Sequence, residues 1–132
     1  MRIIIFDDDP AILALCQEVL RMEGYDVFTS NYGTNDLQRI TNAAPDLAIL
    51  DCPPGREDRI GNLLEKLKTH DSGAQIPVIL CSTDIKRLYN IHNFWDLPQI
   101  AMLTKPFDID ILVSTVRDAL VFWGKIPHRT GV

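Results

Sequence analysis

Residues 2–10 read Arg-Ile-Ile-Ile-Phe-Asp-Asp-Asp-Pro. The stretch Arg2–Phe6 is a nearly continuous apolar run, and it stops abruptly at the carboxylates of Asp7, Asp8 and Asp9. An alternating run would describe a strand with one wet face. A continuous one describes a strand covered on both faces, as in a parallel sheet. Asp9-Pro10 then sets a capping side chain ahead of a proline at the first helical position. Ile12, Cys16, Val19 and Leu20 recur at helical spacing, and Gly24 supplies the stop. The unit is therefore strand, acidic turn, helix.

The same unit repeats along the chain. Further apolar runs fall at Tyr25–Phe28, Leu47–Leu50, Val78–Cys81 and Ile100–Leu103, the second being weak enough to belong near a sheet edge. Thr34 can cap a helix carrying Leu37 and Ile40 that ends before Pro45. Ile60, Leu63, Leu64 and Leu67 form one apolar stripe. Ile85–Phe94 is a shorter fourth helical segment. Asp108 can cap a last helix, with Ile111, Leu112, Thr115, Val116, Ala119 and Leu120 turned to the sheet. Five βα units imply an α/β fold: a parallel sheet with right-handed crossovers and helices on both faces. Ligands in such folds bind beyond the carboxyl ends of the strands.

The 132 residues fit one domain with one continuous core. A net charge of −5 argues against a nucleic-acid surface, which needs a basic face. Cys16, Cys52 and Cys81 show no metal or disulfide spacing and read as small buried side chains in a reducing compartment. No apolar run approaches the roughly 20 residues that span a bilayer, and the N-terminus is too acidic for a signal peptide. The expected location is the cytoplasm.

The strand ends carry the chemistry. Asp7, Asp8 and Asp9 follow the first strand, Asp51 the third, Ser82 the fourth and Lys105 the fifth. Asp9 is explained as a helix cap. The other carboxylates, brought to one rim, repel unless a cation offsets them. Mg²⁺, small and hard, suits one or two carboxylates plus water and phosphate. With Lys105 as a second positive charge and Ser82 as a hydroxyl donor, the set suits phosphoryl transfer to a carboxylate.

Across residues 2–122 the chain resembles bacterial receiver domains of two-component signalling. The residues that carry the likeness are IIIFDDDP at 3–10, DLAILD at 46–51, PVILCS at 77–82 and LTKPF at 103–107. The resemblance implies a flavodoxin-like (βα)5 doubly wound parallel sheet of strand order 2-1-3-4-5. It implies that Asp51 accepts a phosphoryl group, and that Asp7 and Asp8 join Asp51 and the Pro53 carbonyl in holding Mg²⁺. Ser82 would be the hydroxyl that moves toward the phosphoryl group, beside the family's lysine, Lys105, with a cis bond from Lys105 to Pro106. A sensor histidine kinase or phosphotransfer protein would be the donor, and an output domain or partner protein the receiver of the signal. A homodimer is left open, and small-molecule turnover is not expected. Residues 1–123 would form the receiver domain and 124–132 a tail or truncated linker.

The chain departs from the family pattern in three places. After Asp51 it reads Cys52-Pro53-Pro54-Gly55, with Pro54 one position early for the family's proline. Pro53 can offer a carbonyl but no polar side chain to orient water, so slow self-dephosphorylation is expected. Met102 stands where the family has a Tyr or Phe that rotates during switching. The fourth helix carries Tyr89, Phe94 and Trp95, which suit either a partner surface or plugging of the core. His92 has no phosphorelay-like surroundings. Two other readings compete. One is a receiver-like interaction module that no longer uses phosphate. The other is a haloacid-dehalogenase-type phosphatase using Asp7 and Asp9, although Ala11 breaks its motif.

Overall fold

The computed structural model describes residues 1–91 and 99–127. The strands are β1 (Arg2–Phe6), β2 (Asp26–Ser30), β3 (Leu47–Asp51), β4 (Val78–Ser82) and β5 (Ile100–Thr104). The helices are α1 (Pro10–Met22), α2 (Asp36–Ala43), α3 (Glu57–Thr69), α4 (Ile85–Ile91) and α5 (Ile109–Phe122). The sheet order is β2-β1-β3-β4-β5, and every pair is parallel. This is the doubly wound order that the sequence implied.

Successive strand residues face opposite sides of a sheet, and here both sides are dry. Ile3, Ile5, Leu47, Ile49, Ile79, Cys81 and Leu103 pack with Cys16 and Leu20 of α1 and Leu112, Val116 and Leu120 of α5. Ile4, Phe6, Ala48, Leu50, Val78 and Leu80 pack with Ile40 of α2, Ile60, Leu64 and Leu67 of α3, and Leu88 of α4. That two-sided burial is why β1, β3 and β4 read as unbroken apolar runs. β2 buries only Val27, as its weak signal suggested.

The local expectations hold at α1. The Asp9 carboxylate accepts from the Ala11 and Ile12 amides, Pro10 opens the helix, and Gly24, at φ +92°, lets the chain leave it. All three cysteines are buried and free.

Three expectations need correction. β2 runs two residues beyond Phe28 and starts at Asp26, because its pairing with β1 and not its apolar content sets its ends. Thr34 is not the cap of α2; that position is Asn35, whose side chain makes no capping bond. Instead Asp36, in the first turn, accepts from the Gly33 amide at 2.8 Å. Ile111 is 48% exposed, since the buried stripe of α5 runs through Leu112 and Val116, one residue round the helix from it. α4 ends at Ile91. His92, Phe94 and Trp95 lie outside the described residues, and Tyr89 sits in α4 with its side chain likewise undescribed. No helix among the described residues is long and apolar enough to cross a membrane.

Candidate phospho-acceptor site

Parallel strands deliver their carboxyl ends to one rim, so Asp7, Asp51, Ser82 and Lys105 are brought together by topology alone. Lys105 crosses the ends of β1 and β3. Its Nζ lies 2.8 Å from Asp7 Oδ2 and 2.7 Å from Asp51 Oδ1. The peptide bond from Lys105 to Pro106 is cis, as expected. The Lys105 amide donates to the Ser82 carbonyl at 2.8 Å, which continues the β4–β5 ladder up to the site.

Burial by itself would lower the lysine's pKa. Its hydrogen bonds and charge pairing with Asp51 and Asp7 outweigh that and hold the ammonium above the ordinary lysine range. Asp51 shows the opposite balance. Burial pushes its carboxyl up from the usual range, and the Asp7 and Asp8 charges add to this, while Lys105 offsets only part of it. One ammonium among three carboxylates leaves the rim short of positive charge. Among the described residues no group of three or more His, Cys, Asp or Glu side chains is arranged to hold a metal by itself. Asp7, Asp8 and Asp51 offer only oxygen donors, a chemistry that would fit Mg²⁺ if water and phosphate completed its shell.

Each remaining predicted residue has a defined place. Asp7 Oδ1 accepts from the Asp9 amide at 2.9 Å, and Asp8 Oδ1 accepts from the Tyr32 amide at 3.1 Å. Asp9 is spent on capping α1, so the second acid of the phosphatase motif is directed away from the site. Ser82 is buried, and its Oγ accepts from the Asp84 amide at 3.0 Å, at the turn into α4. The Pro53 carbonyl accepts from the Arg56 amide at 3.1 Å, closing a tight turn in which Gly55 has φ +91°. A carbonyl has a second lone pair, so this bond leaves one available. Met102 is half-buried against the cluster beneath α2, α3 and α4.

The space beneath the ion cluster is small and mostly apolar. It amounts to about 10 Å³ among residues such as Ile12, Ile49 and Phe107, room for no more than about one water.

Sequence reading missed Tyr32. It lies just past β2, whose carboxyl end reaches the same rim, and its hydroxyl donates to the Asp51 main-chain carbonyl at 2.6 Å. The available signal was an aromatic two residues beyond a strand end, on a strand set aside as a weak edge.

The family model of the response regulator receiver domain matches residues 3–117. The chain belongs to this family, the receiver domains of two-component systems. It is 32% identical over 127 residues to "DNA-binding dual master transcriptional regulator RpaA" of Synechocystis sp., covering 96% of this chain but 52% of that protein. It is 32% identical over 119 residues to "Sporulation initiation phosphotransferase F" of Bacillus subtilis, covering 90% of this chain and 93% of that one. The chain thus spans about half of the first relative and nearly all of the second.

Among solved structures, a response regulator receiver modulated diguanylate cyclase of Pelobacter carbinolicus superposes with TM-score 0.70 at 29% identity, covering 94% and 95% of the two chains. The chemotaxis response regulator CheY4 of Vibrio cholerae superposes with TM-score 0.74 at 20% identity, covering 90% and 98%, a likeness of fold alone. Membership of the receiver family replaces the phosphatase reading.

Proposed function

We propose that this receiver accepts a phosphoryl group on Asp51 from a phosphohistidine of a histidine kinase or phosphotransfer protein. The observation that carries this is Lys105 Nζ bridging Asp7 and Asp51 at 2.8 and 2.7 Å across three strands. An Asp51 carboxylate oxygen attacks phosphorus in line. The bond from phosphorus to the donor nitrogen breaks, and the electron pair leaves with the imidazole. Lys105 neutralises charge on the transferred oxygens. Ser82 Oγ gives up its bond from the Asp84 amide to donate to the phosphoryl group.

Asp7, Asp8, Asp51 and the Pro53 carbonyl would hold Mg²⁺, which when bound offsets the charge of the carboxylates and of the incoming phosphate. Residues 1–123 act as the receiver and 124–132 as a tail or linker. The output domain or partner protein reads the change, with Tyr89, Phe94 and Trp95 of the sequence as its aromatic anchors. The action is signalling in the cytoplasm and not small-molecule turnover.

Acetyl phosphate with Mg²⁺, followed by mass spectrometry of peptides, tests the assignment. One phosphoryl group on the peptide containing Asp51, absent from Asp51→Asn and from a chelator control, is the expected result. An unlabelled wild type would leave the reading of an interaction module that does not use phosphate.

A further inference from the structure

The peptide that joins Asp51 to Cys52 is held from both edges. Its carbonyl accepts from the Tyr32 hydroxyl at 2.6 Å, and its N–H donates to the Cys81 carbonyl at 2.7 Å. The second bond belongs to the β3–β4 ladder and is backbone chemistry available to any sequence. The first depends on one side chain from a different loop.

That loop is itself fixed. The Tyr32 ring lies 5.3 Å from Phe6 on one side and 5.5 Å from the Arg59 guanidinium on the other. Arg59 Nη2 donates to the Gly33 carbonyl at 2.8 Å and reaches Asp36 Oδ2 at 3.4 Å, while the Gly33 amide donates to Asp36 Oδ1 at 2.8 Å. Both polar groups of Gly33 are therefore engaged by α2 and α3. Tyr32 then spends its own two donors on the site: the amide on Asp8 and the hydroxyl on the Asp51 carbonyl.

From this geometry we infer that Tyr32 is a positioning residue, which sets the Asp51–Cys52 peptide and the Asp8 carboxylate so that the Asp51 side chain and the Pro53 carbonyl meet one cation. The inference rests on the phospho-acceptor reading above. The physical reason is short range. Rotating one peptide plane swings both the carboxylate before it and the next carbonyl, and Mg²⁺ tolerates little departure from octahedral geometry. Partners of metal ligands that fix their orientation typically matter by 10- to 100-fold in affinity.

Tyr32→Phe removes the hydroxyl and keeps the ring between Phe6 and Arg59. Mg²⁺ titration of the whole chain, followed by amide NMR shifts, reads affinity without any phosphoryl transfer. Amide exchange at Cys52, measured in chelating buffer, reads the peptide alone. The expected result is Mg²⁺ binding weakened on the order of tenfold, with faster exchange at Cys52. Ile40→Val, a core change away from the rim, should lower stability and leave both readouts alone.

Where Tyr32→Phe fails to fold, Arg59→Ala decides. It frees the ring but leaves the hydroxyl, and about a threefold loss of Mg²⁺ affinity is expected. Wild-type affinity within twofold in the folded variant, with unchanged Cys52 exchange, overturns the inference. If the wild type itself binds no Mg²⁺, the phospho-acceptor reading falls instead, and the Cys52 exchange alone decides whether Tyr32 holds the peptide.

Discussion

The two halves of the rim are built differently. In the half drawn from the ends of β1, β3 and β5, with β4 lying between the last two, Asp7, Asp51 and Lys105 are locked together by buried or half-buried charge contacts, and Tyr32 fastens the main chain. On the β4–α4 side, Ser82 Oγ is engaged, among the described residues, with the Asp84 amide of its own turn. There, beside the packing of Leu88 against α3, an ion pair runs from the half-exposed Arg87 Nε to the buried Glu57 Oε1 at 2.8 Å. Contacts of the first kind are costly to break and hold a geometry. Contacts of the second kind can be exchanged at small cost, which is what a segment that changes place on phosphorylation requires. Under the proposed function, one half would fix the chemistry and the other would respond to it.

The largest effect should come from removing the shared cation. Lys105→Ala leaves Asp7 and Asp51 facing each other without their common partner. Labelling by acetyl phosphate should slow on the order of a hundredfold. A loss of only a few-fold would mean that the locked half is structural and not chemical.

The turn after Asp51 gives the next effect. Pro53 has no polar side chain to place water beside the phosphoryl group, so the phosphorylated form should be long-lived. Pro53→Asn should shorten its half-life several-fold on the order expected for adding one positioned polar group. An unchanged half-life would remove this account of the loop.

A third test separates stability from function. Burial raises the folded-state pKa of Asp51. A folded pKa above the unfolded one means the folded chain holds that proton more tightly, so stability falls as pH rises through this window. In chelating buffer near pH 7, Asp51→Asn should therefore unfold at the same or higher denaturant concentration than wild type, by up to about 1 kcal/mol after allowing for solvent screening. Adding Mg²⁺ should stabilise wild type and not the variant. A destabilised Asp51→Asn would mean that its pairing with Lys105 outweighs its burial.

The smallest effect is on the exchangeable half. Arg87→Ala should lower stability by about 1 kcal/mol or less, given the exposure of the arginine, and leave the labelling rate within about twofold of wild type on the same grounds. A large fall in labelling would erase the distinction between the halves.

Most of the locked half was legible in the sequence, and for a physical reason. Parallel topology sends every strand's carboxyl end to one rim. Locating the runs Arg2–Phe6, Leu47–Leu50 and Ile100–Leu103 was therefore enough to gather Asp7, Asp51 and Lys105. The cap at Asp9 was legible because its bonds are local. Tyr32 was not, because its partner Asp51 is 19 residues away and β2 carries almost no apolar signal. The start of α2 was misread at Thr34, since Asp36 serves the Gly33 amide from inside the first turn. Ile111 looked sheet-facing because two registers of the α5 stripe are nearly equally apolar, and only packing separates them.

The central claim is that phosphoryl chemistry at Asp51 reaches the β4–α4 half through Ser82. Beryllofluoride, which mimics the bound phosphoryl group, can be added with Mg²⁺ to the isotope-labelled chain and followed by amide NMR. Large shifts at Asp51 and Lys105 that continue through Ser82 and Asp84 into α4, and that vanish in Asp51→Asn, are the predicted result. Spectra that do not change on adding beryllofluoride and Mg²⁺ would contradict the claim.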